Sequence, residues 1–219
     1  ILAASGLDCG VFSGVHADPS AEIVDEAVEA ALAHKADCLV GLGGGSSIDS
    51  AKAIAVMACN DGDYWDYIPA GSGKGRPVTN ALPVIAIPTT AGTGTEADPW
   101  SVITNEEAKE KIGFGSTLTF PVLSIIDPEL MVSIPPHLTA YQGFDAFFHA
   151  AEGFLANCAT PISDLYALEA IRLLYKYLPV AVKDGRNLKA RAKVAWASTL
   201  AGLVEATSCC ISEHSMEHA

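Results

Sequence analysis

Residues 38–58 read CLVGLGGGSSIDSAKAIAVMA, and this stretch decides the expected fold. Its apolar run, 38–42, predicts a buried strand, the segment 43–46 predicts a tight turn, and the remainder has helical spacing through Ala58. Backbone N–H groups at a helix start are unpaired and partly positive, and glycines let an anion approach them, so the turn suits a phosphate. A turn without any ligand explains the same residues equally well, because the glycine spacing differs from that of the common dinucleotide fingerprint.

The sequence on either side of this stretch repeats the alternation of strand and helix. Asp18 and Pro19 are typical of a helix N-cap followed by proline at the first helical position, and a helical pattern follows them. Further strands are predicted at 84–87 and 122–126. Short apolar strands that alternate with helices predict a Rossmann-like parallel α/β domain.

The pattern changes near residue 135, after which only helical spacing is found. Helices are predicted over 139–157, 163–177, 188–206 and from 211 onward. The expected division is therefore an α/β unit, 1–135, followed by an all-helical unit, 136–219. Both are expected to be incomplete, because the chain opens without methionine and ends inside a helix-like pattern.

Composition limits the classes of partner and the compartment. The 219 residues are 50% hydrophobic, which is enough for a real core, and the formal net charge is -13. Such a surface repels nucleic acid and anionic membranes, so neither is expected as a partner. Six scattered cysteines without a Cys-x-x-Cys pair indicate a reducing, cytoplasmic environment rather than a secreted disulfide framework.

A second polar loop follows the predicted strand 84–87. Residues 88–96 read PTTAGTGTE, which concentrates four hydroxyls and two glycines. A solvated loop explains hydroxyls without a ligand. Two such loops at the carboxyl ends of parallel strands nevertheless favour a ligand site, because ligands of open α/β sheets bind there.

Two pairs of potential metal ligands stand on predicted helices. Asp145 and His149 are four residues apart, as are His214 and His218, so each pair shares a helical face. An Asp–His surface hydrogen bond, or a pair of exposed histidines, explains each pair alone. Together they offer three or four N/O ligands, which suit Fe²⁺ or Zn²⁺ better than Ca²⁺ or Mg²⁺.

Five ordered motifs then carry a family resemblance, and they cover nearly all of the chain. The sequence resembles the iron-containing alcohol dehydrogenases in GGGSSIDSAK (43–52), PTTAGTGTE (88–96), DPEL (127–130), GFDAFFHAAE (143–152) and HSMEH (214–218). The resemblance implies hydride transfer between a small-molecule alcohol or aldehyde and NAD or NADP, with a divalent metal, Fe²⁺ or Zn²⁺, that polarises the substrate oxygen. It also implies that 1–135 is a dinucleotide-binding domain, that 136–219 is a metal-binding domain and that the full-length protein is a homodimer.

The resemblance assigns roles to individual residues. Asp145, His149 and His214 would be metal ligands, whereas His218 would be a catalytic neighbour of the nicotinamide and part of the proton path. Glu152 would either orient a ligand or lie on the helix surface. The cofactor would be bound by the residues of the two loops and by one lysine: Gly44, Gly45, Ser46, Asp49 (supporting the turn), Thr89, Thr90, Thr93 and Lys111. An exposed surface lysine beside Lys109 is the other interpretation of Lys111.

The sequence departs from the family pattern at both ends, and other interpretations remain. The family's fourth ligand, a histidine, falls beyond residue 219, and the segment that distinguishes NAD from NADP would precede residue 1. A related glycerol dehydrogenase or dehydroquinate synthase, a carboxylate–histidine metal bundle and a non-catalytic fragment are the alternatives. Cys209 and Cys210 are expected to be packing residues rather than thiolate ligands.

Overall fold

The computed structural model of this chain describes residues 3–217. Within that range the regular elements are β1 Leu39–Gly43, β2 Val84–Pro88, β3 Trp100–Asn105, β4 Glu110–Gly115, β5 Leu123–Ser124, α1 Ala21–His34, α2 Gly45–Met57, α3 Pro136–Leu155, α4 Pro161–Lys183, α5 Leu188–Thr207 and α6 Ser212–Glu217. Among these residues, no helix is both long and apolar enough to cross a lipid bilayer.

The expected parallel α/β sheet is confirmed. Its strand order is β1-β2-β5, with all pairs parallel, and Gly43 at the end of β1 is in register with Pro88 at the end of β2. Helix α2 packs against both β1 and β2, and its Ile48 is fully buried. The two loops that follow β1 and β2 therefore leave the sheet at the same edge.

The predicted burial of the strands at 38–42 and 122–126 is wrong. Val40 and Leu42 of β1 are 44% and 59% exposed, and β5 shrinks from the predicted five residues to Leu123–Ser124, with Leu123 51% exposed. Because alternate side chains of a strand point to opposite faces, only the face beneath α2 is buried. The predicted cap of α1 is also wrong, since Ser20 accepts from the backbone N–H of Ile23 at 3.5 Å and Asp18 has a φ of 52°.

An antiparallel hairpin that the sequence reasoning missed joins the α/β half. Strands β3 and β4 pair from Trp100 with Gly115 to Asn105 with Glu110. The β-branched run in β3 was a usable signal, but the strands are short and mostly half-buried, so their alternation is weak. The hairpin lies against α2, which places Val102 and Lys111 beside the loop edge of the sheet.

The remaining chain is helical, as expected. Helices α3, α4 and α5 pack on one another around an alanine-rich core that includes Ala146, Ala150 and Ala197. Gly94 of the second loop lies so close to Gly202 of α5 that a Cβ on either would meet the backbone of the other. The division into domains 1–135 and 136–219 stays a prediction.

Candidate active site

The two glycine- and hydroxyl-rich loops face each other. The backbone N–H of Thr89 donates to the carbonyl of Gly43 at 2.7 Å, which joins the strand ends. A Cβ placed on Gly44 would lie 3.3 Å from the side chain of Thr90. The close approach of the loops therefore favours a small residue at this position.

Helix α2 begins at this junction. Its N-cap is Gly44, whose position provides no side-chain cap, and a Cβ on the next residue, Gly45, would lie 2.6 Å from Thr93. Gly45, Ser46 and Thr93 line a cavity of about 230 Å³. The open start of the helix and the neighbouring hydroxyls form a concave site that suits the negative charge of a phosphate.

Lys111 also lines this cavity, although it is remote in sequence. It stands on β4, and its Nζ lies 3.1 Å from Oδ1 of Asp18, with 28% of the lysine side chain exposed. The hairpin thus brings a cation to the loop edge of the sheet. This placement is compatible with a contact to an anionic cofactor and differs from that of a fully exposed lysine.

Asp49, one turn into α2, makes contacts beyond the glycine turn. Its carboxylate accepts from Thr95 Oγ1 at 2.6 Å and from the backbone N–H of Val102 at 3.0 Å. Burial raises the pKa of Asp49, while the nearby charge of Lys52 opposes that change. Asp49 therefore connects α2 to the second loop and to β3.

Lys52 is a buried residue to which sequence reasoning gave no role of its own. Its side chain is inaccessible, and Nζ donates to Thr95, Asp98 and Trp100, including Thr95 Oγ1 at 2.6 Å and the Asp98 carboxylate at 3.2 Å. Lys52 is the single lysine inside the apolar run 51–58, and this position in the sequence could have indicated a buried charge. Its many oxygen acceptors compensate for the loss of solvation and fix the shape of the second loop.

The three predicted metal ligands lie together. Asp145 and His149 stand one turn apart on α3, with Oδ1 and Nε2 3.8 Å apart. His214 comes from α6, and its Nε2 lies 3.6 Å from the same carboxylate oxygen. The imidazole rings stack with centroids 4.2 Å apart and an interplanar angle of 15°. One carboxylate and two imidazoles thus converge on one small volume.

Glu152 fixes the orientation of His214. The residue is buried, so it does not lie on the helix surface, and its Oε2 lies 2.8 Å from Nδ1 of His214. The same carboxylate accepts from the backbone N–H groups of Ile211, at 2.9 Å, and Glu213. A carboxylate on one nitrogen of a ligating histidine sets its tautomer and leaves the other nitrogen for a metal.

The surroundings of His149 and His214 shift their pKa values in opposite directions. Burial lowers the pKa of His149, and the opposing charge of Asp145 does not overcome that effect. Burial also acts to lower the pKa of His214, but hydrogen bonds to Asp145 and Glu152 outweigh it, so the net pKa is raised. His149 is therefore held neutral, as a metal ligand must be, whereas His214 gives up its proton at a higher pH.

Two further residues at this cluster were not assigned to it from the sequence. Oε1 of Glu205 on α5 lies 3.3 Å from Nε2 of His149 and accepts from the thiol of Cys210 at 3.3 Å. The pKa of Glu205 is raised well above its usual range, mainly by burial and secondly by the charge of Asp98. Glu205 is the one charged residue in 194–212, and this isolated charge in the sequence could have marked it as a candidate site residue.

Cys210 belongs to the site rather than to the packing alone. A ligand atom from each of His149, Cys210 and His214 falls within 4.8 Å of the others. A second cavity, of about 340 Å³, is lined by these residues and shares His149 and Glu205 with the first cavity. The loop site and the carboxylate–histidine cluster therefore adjoin. His218 lies outside the described residues.

Comparisons with known proteins agree on one family. Residues 1–128 match the family model described as iron-containing alcohol dehydrogenase, and residues 139–219 match the model of the C-terminal part of that family. The chain is 43% identical over 216 residues to a choline dehydrogenase of Bacillus subtilis (strain 168), covering 98% of this chain and 53% of that protein. It is 42% identical over 199 residues to the NAD-dependent methanol dehydrogenase of Bacillus methanolicus, and the match covers 91% of this chain and 51% of that protein.

A solved structure extends the likeness to three dimensions. The crystal structure of an archaeal halo-thermophilic alcohol dehydrogenase from a Red Sea brine pool superposes with a TM-score of 0.96 at 40% identity. The superposition covers 99% of this chain and 55% of that one. The chain thus spans about half the length of the curated relatives it matches.

Proposed function

Because this chain belongs to the iron-containing alcohol dehydrogenase family, we propose that the whole protein transfers a hydride between an alcohol and NAD or NADP. The substrate class is a primary or secondary alcohol, or the corresponding aldehyde or ketone. The observation that carries the proposal is the adjacency of two sites: the loop cavity and the carboxylate–histidine cavity share His149 and Glu205. A nicotinamide cofactor and a metal-held alcohol need this adjacency, because hydride transfer requires direct contact of the reacting carbons.

The donor set fits Fe²⁺ or Zn²⁺. Asp145, His149 and His214 supply one oxygen and two nitrogen ligands, a mixture that these metals accept and that leaves room for an open position. When bound, such a metal supplies Lewis-acid polarisation of the alcohol oxygen, and the nicotinamide supplies the hydride acceptor. Within the chain, Glu152 holds His214 in one tautomer, and burial keeps His149 neutral.

The loops supply the cofactor side of the proposal. Gly44 and Gly45 allow a pyrophosphate to approach the start of α2, with Ser46 and Thr93 as hydroxyl donors and Lys111 as a nearby cation. Thr89 and Thr90 border the same junction, whereas Asp49 fixes the position of α2.

His218 remains the proposed proton carrier next to the nicotinamide. The proposal includes a dimeric state, a cytoplasmic location and the two-domain division.

Metal analysis of the full-length protein tests the ligand assignment. His149→Ala and His214→Ala should lose both metal and alcohol-dependent reduction of the cofactor, whereas His218→Ala should keep the metal and turn over poorly. His137→Ala is the matched control, because His137 is an exposed histidine on α3. Full metal occupancy in His214→Ala, or loss of metal in His218→Ala, would contradict the assignment.

Fluorescence titration with NADH and NADPH tests the cofactor site. Gly45→Asp should abolish binding, because its side chain would overlap Thr93 and its charge would repel a pyrophosphate. Ala70→Asp adds the same charge at an exposed residue of the loop 69–75, so binding should persist. Unchanged affinity in Gly45→Asp would remove the loops from the site.

A further inference from the structure

Two cysteines that the proposed activity does not use are in direct contact. The sulfur atoms of Cys158 and Cys209 lie 2.8 Å apart, although the residues are 51 positions apart in sequence. Cys158 is exposed in the α3–α4 connection, and Cys209 is half-buried in the α5–α6 connection. A disulfide bond has about 2.05 Å between its sulfurs, so the two sulfur atoms are already within an ångström of bonding distance.

Hydrogen bonds hold both connections in place. The hydroxyl of Ser208 donates to the carbonyl of Gly153 at 2.7 Å and lies 3.7 Å from the sulfur of Cys158. On the other side of Cys209, the backbone N–H of Ile211 donates to Glu152 at 2.9 Å. The thiol contact is therefore built into the packing of α3 against the α5–α6 connection, and the two sulfurs do not depend on large loop movements to meet.

We propose that Cys158 and Cys209 are a modification site, which forms a reversible intramolecular disulfide on exposure to a small disulfide oxidant such as oxidised glutathione. The Cys158 thiolate attacks one glutathione sulfur, which forms a mixed disulfide and releases one glutathione. The Cys209 thiolate then attacks the sulfur of Cys158 and releases the second glutathione. Two protein thiols are oxidised, one glutathione disulfide is reduced, and the two protons leave with the glutathione thiols.

The order of attack follows from the surroundings of each thiol. Cys158 is exposed, whereas Cys209 is half-buried. The more accessible thiol of the pair is the first to meet the oxidant. The half-buried thiol next to it is placed to resolve the mixed disulfide.

Cys210 is excluded as the resolving thiol by its position. Its Sγ donates to Glu205 at 3.3 Å on the metal side of the connection, and burial raises its pKa. The disulfide of Cys158 with Cys209 would tie the α3–α4 connection to the segment that leads into α6. His214 follows Cys209 by only five residues, so oxidation would anchor the backbone that presents this ligand.

Peptide mapping of the oxidised protein tests the proposal. Tryptic cleavage leaves Cys158 as the only cysteine of peptide 112–172, while Cys209 and Cys210 share the peptide that begins at Val194. After treatment of the full-length protein with oxidised glutathione, alkylation and non-reducing digestion, we expect these two peptides to be linked. The linked species should weigh two hydrogen atoms less than its parts and separate on reduction.

Serine variants assign the partner. The link should persist in Cys210→Ser and disappear in Cys209→Ser, which should instead accumulate a stable glutathione adduct on Cys158. Cys59→Ser is the matched control, because Cys59 is a half-buried cysteine remote from the pair. A link that survives in Cys209→Ser, or wild-type protein that yields only glutathione adducts or intermolecular links, would overturn the proposal.

Discussion

Replacing Glu152 by glutamine is the sharpest test of how this chain orients a metal ligand. The substitution keeps the size of the side chain and removes one acceptor oxygen and the negative charge. In the native site the carboxylate accepts from Ile211 and Glu213 and contacts Nδ1 of His214 at 2.8 Å. A glutamine can satisfy only part of this set, because its amide nitrogen donates.

The expected loss can be worked out from these contacts. A hydrogen bond to a charged group contributes about 1.5–3 kcal/mol, and loss of the partner that orients a metal-ligating histidine lowers metal affinity about 10–100-fold. The second figure corresponds to about 1.4–2.8 kcal/mol, so the two magnitudes agree. We therefore expect Glu152→Gln to bind Zn²⁺ or Co²⁺ about 10–100-fold more weakly than the wild type at pH 7.5, with the helical circular dichroism retained.

The assay is competition against a chromogenic chelator in the metal-depleted full-length protein. Glu169→Gln is the control, since it makes the same change on α4, where Glu169 pairs with Arg172 at 2.6 Å on the surface. The control should bind metal as the wild type does. Equal affinity of Glu152→Gln and the wild type, or equal weakening in both variants, would refute the reasoning that Glu152 acts through His214.

Three further predictions concern the core and pH. Lys52→Met should lower the free energy of unfolding by about 3–5 kcal/mol in urea, because it leaves a buried carboxylate without its partner. Arg172→Met removes only an exposed ion pair and should have almost no effect. Gly202→Ala should cost about 1–3 kcal/mol, because its methyl group would press into the backbone of the second loop; Gly113→Ala, whose nearest neighbour would be 3.6 Å away, should change stability by less than about 1 kcal/mol. A destabilised control or an unaffected core variant would contradict either prediction. The third prediction concerns pH: metal binding requires a neutral imidazole, and the pKa of His214 is raised. Metal affinity should therefore fall about tenfold per pH unit once the pH drops below that raised pKa. A metal affinity that stays constant from pH 8 to 5 in the chelator assay would contradict this prediction.

Local pattern was enough to predict much of this chain. The spacing of Asp145 and His149 places both on one face of α3, because residues four apart on a helix are neighbours whatever surrounds them. The apolar runs of β1 and β2 predicted parallel strands, and the polar segments that follow them lie at one edge of the sheet. The five motifs gave the family, and with it the expectation that His214 joins the other two ligands.

The tertiary structure decided what local pattern cannot express. Spacing alone could not bring His214 to α3, because its contact with Glu152, 62 positions away in sequence, depends on how α5 and α6 pack. The hairpin β3–β4 was missed for a related reason: its strands are short and are stabilised by pairing with each other and by contacts with Asp49 of α2. Which charged side chains are buried, as Lys52 and Asp98 are, was likewise determined by neighbours from distant segments. Burial and the pairing of charges are properties of the packed chain, so they enter only when the elements meet.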